Sequence, residues 1–168
     1  MTSVTTFAAF AAAISRQDVE ALTALMTADH VFIDSWGQRT EGATPMGAGW
    51  HSYFAMCPDY WIRADHIVAE DSVVLAVGEA GGTIDAISWQ IPAAWKAVVR
   101  DGKVAEWRVF ADNKPVYEIL AGAPETLLRL TWNRPLEDGP GAFCSRRSPC
   151  PRPHPPRRFT SPCRTARR

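Results

Sequence analysis

Cysteine is nearly missing from most of this sequence. Only Cys57 precedes Cys144 among the 4 cysteines, so residues 1–121 hold no pair from which a disulfide framework could be built. No apolar run approaches the ~20 residues needed to cross a bilayer. Met1 to Ala13 lacks a basic segment and carries its apolar residues at helical spacing, so no secretory leader is expected and a soluble, cytoplasmic protein is. Phosphate-binding glycine loops, dinucleotide fingerprints, HExxH and Ser-His-Asp signatures are all absent. The expectation is therefore cofactor-free, metal-free chemistry or simple binding.

A net charge of one sign is also lacking: 18 basic residues balance 18 acidic ones. The balance hides an asymmetry. From Gly122 onward stand ten arginines and no lysine against Glu125, Glu137 and Asp138, a balance of +7; the preceding residues carry −7. The same tail holds nine of the 13 prolines and three of the 4 cysteines. Its final stretch, SRRSPCPRPHPPRRFTSPCRTARR, has almost no aliphatic residues and cannot bury enough surface to offset ordering entropy. Residues 1–121 are thus expected to form one globular domain, and 122–168 a disordered Pro/Arg-rich tail. Such a tail reads as a basic arm for nucleic acid or an anionic surface, or more plainly as an adventitious extension. The acidic body argues against nucleic acid as partner. Cys150 and His154 lack a second, correctly spaced pair, so zinc is not expected.

What is present is hydrophobic patterning. Trp95 to Asp112 reads as a β-hairpin, two runs rich in Val, Trp and Phe joined at Asp101-Gly102, a pair suited to a type I′ turn. An unbroken ladder would set Val99 opposite Val104, Ala97 opposite Glu106 and Lys96 opposite Trp107, with Lys96 and Arg108 on opposite faces and both faces covered. Upstream, Phe7, Phe10, Ala11 and Ile14 form the apolar stripe of a helix over Thr6 to Arg16. Asp18 is a plausible N-cap for a second helix, Val19 to Met26. Val31 to Asp34 is a short strand, followed by a glycine-bearing loop and a helix over Gly47 to Met56. Tyr60 to Ala69 and Val73 to Glu79 read as strands, with Gly81-Gly82 interrupting the second. Thr83 to Ile91 reads as a crossing loop or strand, and Pro115 to Leu120 as a closing helix. Helices followed by a strand meander make an α+β fold, with the helices stacked on one face of a curved sheet.

The stretch FAAAISRQDVEALTALMTADHVFIDSWG, a glycine-led helix, and then RDGKVAEWRVFADN together resemble the NTF2-like superfamily over about residues 5 to 121. That superfamily includes ketosteroid isomerase, SnoaL-type polyketide cyclases and limonene epoxide hydrolase. The resemblance implies a cone-shaped barrel, a curved antiparallel sheet whose N-terminal helices enclose a pocket, usually in a homodimer. It also implies positions for chemistry. Asp34 falls where ketosteroid isomerase keeps its general base, but Phe10 stands at that enzyme's tyrosine position and Ala94 or Trp95 at its second acid. Val109 matches the catalytic aspartate of epoxide hydrolase, whose Arg and Asp would fall near Gly78 to Ala80. Asp112 matches the acid/base aspartate of the cyclases and Glu106 an acidic residue of the same motif, while Trp107 and Arg108 replace a His-Trp type pair.

Asp34, Asp112 and His51 are therefore the acid/base candidates. Each has a plainer reading: a turn residue, a cap of the closing helix and a surface histidine. His30 and His66 are expected at the surface. Phe10, Trp36, Trp50, Tyr53, Phe54, Trp89 and Trp107 are the candidates to line a site for a small apolar or polycyclic molecule; core or dimer-interface roles are the alternatives. The sequence thus points to an isomerase-, cyclase- or dehydratase-like protein using pocket aspartates, or to a non-catalytic ligand-binding or accessory protein of the same fold.

Overall fold

The computed structural model describes residues 2–122. The Pro/Arg-rich tail from residue 123, and the expectations of disorder and of a basic arm attached to it, lie outside the described residues.

Two helices open the chain. Helix α1 spans Ser3–Ser15, capped by the Thr2 hydroxyl, which accepts from the Thr5 N–H at 3.2 Å. Helix α2 spans Val19–Ala24, and the Asp18 carboxylate caps it by accepting from Ala21 N–H at 2.9 Å. Both place their apolar stripes inward: Phe7, Phe10, Ile14 and Leu22 are buried. Strand β1 spans Met26–Ile33, so Met26 belongs to a strand rather than to the end of α2. Strand β2, Arg39–Glu41, pairs back on it. Helix α3, Ala43–Met56, starts four residues before the glycine expected to lead it. Then follow β3 (Trp61–Glu70), β4 (Val73–Ile84), β5 (Ile87–Arg100), β6 (Lys103–Ala111) and α4 (Lys114–Gly122).

The strands form one curved six-stranded sheet in the order β2-β1-β6-β5-β4-β3. All neighbours are antiparallel except β1 and β6, which run parallel. The helices cover its inner face, and the core lies between. Among the described residues no helix is long and apolar enough to cross a membrane.

Two sequence expectations are corrected here. Gly81-Gly82 does not interrupt β4, which runs on to Ile84 and turns directly into β5. A Cβ on Gly82 would sit 2.4 Å from the Cys57 sulfur. The glycine therefore lets the end of α3 press against the sheet. The second correction concerns the 95–112 hairpin. Its turn is as expected, with φ of 53° at Asp101 and 73° at Gly102, and Val99 faces Val104. Beyond that pair a β-bulge leaves Ala105 without a partner, so Val98 faces Glu106, Ala97 faces Trp107 and Lys96 faces Arg108. The extra residue puts Val104 and Trp107, three apart in sequence, on the same inner face. Lys96 and Arg108 consequently share the outer face, where Lys96 Nζ meets Glu106 Oε1 at 2.9 Å. That outer face is only partly covered: Val68, Leu75, Val77 and Phe110 are exposed.

Candidate functional site

The acid/base candidates lie at the rim, each engaged by backbone or solvent. Asp34 ends β1. Its Oδ1 accepts from Trp36 N–H at 2.9 Å and Gln38 N–H at 2.8 Å, an arrangement that closes the β1–β2 turn. Asp112 ends β6, is exposed, and accepts from Lys114 N–H at 3.1 Å at the start of α4. The two loops are tied together, since Asn113 Nδ2 donates to Ser35 Oγ at 2.9 Å. Asp112, Trp36 and Tyr117 line an outer groove of about 460 Å³. His51 lies elsewhere: it is exposed on α3 and borders a separate groove of about 800 Å³ shared with Asp18, Glu20 and the edge of Phe54. The structure thus brings the Asp34 and Asp112 loops together and leaves His51 apart from both. Both carboxylates accept backbone N–H bonds, Asp34 in the turn after β1 and Asp112 just before α4.

The aromatic candidates divide into two sets. Phe10 and Trp107 are packed solid, 0% and 1% exposed, with ring centroids 4.8 Å apart. Phe7 adds a third layer, 5.1 Å from Trp107. These rings are core. The other set surrounds the end of α3. Trp50 stacks on Phe54 at 5.2 Å, and Tyr53 meets Tyr60 edge-on at 4.9 Å. Tyr60 in turn stacks on Trp89 at 6.0 Å. Trp36 stands at the rim, 4.4 Å from Tyr117 of α4.

Tyr53 and Tyr60 differ from the packed core in one respect. Both lie deep enough that burial drives their hydroxyl pKa values well up. Yet both keep part of their surface accessible, and their hydroxyls are not among the buried polar atoms that lack a partner. Tyr60, Cys57 and Tyr117 are near enough to Tyr53 to raise its hydroxyl further, after burial itself. The Trp89 indole Nε1–H, on a residue 8% exposed, has the Cys57 sulfur, a weak acceptor, beside it and no stronger partner among the described residues. Burial pushes that thiol up to about 11, so it stays protonated and unreactive near neutral pH.

The sequence reasoning missed two of these residues. Tyr60 heads the inward set Tyr60, Ile62, Ala64, an alternation that was there to be read. His30 is corrected from surface to core: it is 0% exposed, between Met26 and Phe32 on the inner face of β1. Its Nδ1 lies 2.7 Å from the Val104 carbonyl oxygen and its Nε2 has no partner among the described residues. This is the pattern of a neutral ring donating from Nδ1. Among the described residues no group of three or more His, Cys, Asp or Glu side chains is placed to hold a metal.

A curved, mostly antiparallel six-stranded sheet with N-terminal helices on its inner face defines an NTF2-like α+β fold. The chain belongs to the SnoaL-like domain family, whose pattern it matches over residues 7–107. No curated protein matches. Solved structures do. A Shewanella denitrificans protein described as a SnoaL-like polyketide cyclase is 14% identical, with a TM-score of 0.65 over 72% of this chain and 98% of that one. An LEH-like epoxide hydrolase of M. tuberculosis is 21% identical, with a TM-score of 0.62 over 76% and 90%. A Catenulispora acidiphila protein of ketosteroid isomerase-like fold, in complex with trimethylamine, is 19% identical, with a TM-score of 0.63 over 72% and 95%. At these identities the likeness is one of fold.

Proposed function

We propose that this SnoaL-like domain binds a small, largely apolar or polycyclic molecule in the recess formed by Tyr53, Tyr60 and Trp89, and that binding, not proton transfer by Asp34 or Asp112, is its function. The observation that carries this reading is the cluster of Trp50, Tyr53, Phe54, Tyr60 and Trp89 rings at the end of α3, in which Tyr53 and Tyr60 stay partly accessible. A recess of aromatic walls with a few polar groups is what small-molecule sites look like. Against catalysis by the aspartates stand their present bonds: each carboxylate closes a backbone turn at the rim. Among the described residues the buried polar side chains are Thr6 and His30, neither of them a carboxylate.

Quenching of tryptophan emission by a naphthalene-sized aromatic ligand tests the reading. Saturable one-site binding is expected, unchanged within about twofold in an Asp34→Asn/Asp112→Asn double variant, because substitutions outside a contact leave affinity nearly untouched. No saturation, or loss of binding in the double variant, contradicts it.

A homodimer accompanies this proposal. Leu75, Val77 and Phe110 on the outer sheet face are 47%, 50% and 46% exposed. A contiguous apolar surface of this kind is usually covered in an assembly.

A further inference from the structure

We propose that the groove beside Asp112 and α4 is a separate binding site for a small alkylated ammonium ion, the chemical class to which choline belongs. None of Tyr53, Tyr60 and Trp89 lines this groove, so the inference does not depend on the recess proposed above.

Local sequence builds an aromatic corner here. Asp34 Oδ1 accepts from the Trp36 and Gln38 N–H groups, and Gly37 takes a φ of 81°. The chain therefore folds back after β1 and holds the Trp36 side chain at the surface, 47% exposed. Asn113 Nδ2 donates to Ser35 Oγ at 2.9 Å, which pins this turn against the start of α4. Tyr117 lies one helical turn on, its N–H donating to the Asn113 carbonyl at 3.0 Å. Its ring centroid is 4.4 Å from that of Trp36, with 46° between the planes. Rings inclined at that angle make an open corner, not a closed parallel stack. The corner borders a groove of about 460 Å³, within the range of small-molecule sites, about 300–1,000 Å³.

Charge selects the ligand. Two carboxylates, Asp112 and Glu118, line the groove against one ammonium, Lys114. Lys114 Nζ stands 3.8 Å from Glu118 Oε1 in a loose, exposed pair. Among the described residues Asp112 takes part in no ion pair; its Oδ1 accepts only from the Lys114 backbone N–H. Negative charge next to the electron-rich faces of a Trp and a Tyr favours a cation. A primary ammonium holds its hydration shell tightly and gains little in an open groove. An alkylated ammonium spreads its charge over methyl groups that pack on the rings, the mode by which aromatic corners recognise such ions. An uncharged molecule of the same shape gains the apolar contact alone, and an anion is repelled by the carboxylates.

The test follows the tryptophan indole N–H signals of the full chain by two-dimensional NMR during titration with choline, with its uncharged isostere 3,3-dimethylbutan-1-ol and with ethanolamine. The Trp36 signal is expected to move saturably with choline, with a Kd of about 1 mM. The alcohol and ethanolamine should each bind about tenfold more weakly. Tyr117→Leu, which keeps apolar bulk and removes the ring, and Asp112→Asn should each weaken choline several-fold and leave the alcohol unchanged. The remaining tryptophan signals, if they hold their positions, show that both variants stay folded. Equal binding of choline and the alcohol overturns the inference, as does choline affinity that neither variant alters. A shift at Trp89 in place of Trp36, or the same Trp36 shift with sodium chloride alone, overturns it as well.

Discussion

His30 shows how one buried side chain couples this fold to pH. Burial lowers its pKa below the ordinary histidine value, with the bond to the Val104 carbonyl and the nearby Asp29 pulling weakly the other way. The folded chain therefore resists a proton that the unfolded chain accepts below about pH 6.5. The stability is fully present above that pH and is lost progressively as the pH falls toward the depressed folded value. Urea unfolding midpoints should fall between about pH 7 and 5 for this reason. The His30→Asn variant should lose most of that slope; an unchanged slope would contradict the assignment of a neutral buried ring. Gly82 is the other decisive residue. With the Cys57 sulfur 2.4 Å from its would-be Cβ, Gly82→Ala should cost about 1–3 kcal/mol in denaturant unfolding, the usual penalty for overpacking a full core.

At the level of elements, the sequence showed the hairpin at Asp101-Gly102 because an Asp-Gly pair announces a turn with both φ positive. It hid the equivalent hairpin between β4 and β5, whose turn residues are Asp85 and Ala86 at φ of 50° and 62°. Alanine seldom adopts that conformation, so nothing in the letters advertises it. The strain makes a prediction: Ala86→Gly should raise stability by about 0.5–1 kcal/mol, the left-handed penalty relieved less glycine's own entropy cost. A thermal midpoint that falls instead would contradict the turn. The bulge at Ala105 was also invisible, because register depends on which face each partner buries, and only the inward placement of both Val104 and Trp107 demands the extra residue. Helix α1, Asp18 as a cap and the hairpin strand from Trp95 to Val99 were legible, because caps and periodicity act locally. Asp34 and Asp112 were legible as positions on the chain. Their bonds to backbone N–H groups were not, since these depend on how the chain turns after each strand.

For the molecule as a whole, the apolar outer sheet face carries the proposed dimer and the aromatic cluster at the end of α3 the proposed binding site. If Leu75, Val77 and Phe110 are covered by a second copy, Val77→Glu should shift the species seen by sedimentation from twice the chain mass toward the single chain. A native protein that already sediments as a monomer would refute the dimer and leave the recess untouched. The most direct test of the central claim asks where a ligand lands. In a two-dimensional NMR titration of the tryptophan indole N–H signals with 2-acetonaphthone, Trp89 in the recess should move while Trp36 at the outer rim stays. If Trp36 moves and Trp89 does not, the ligand site is the rim groove beside Asp112, and the account given for the recess is wrong.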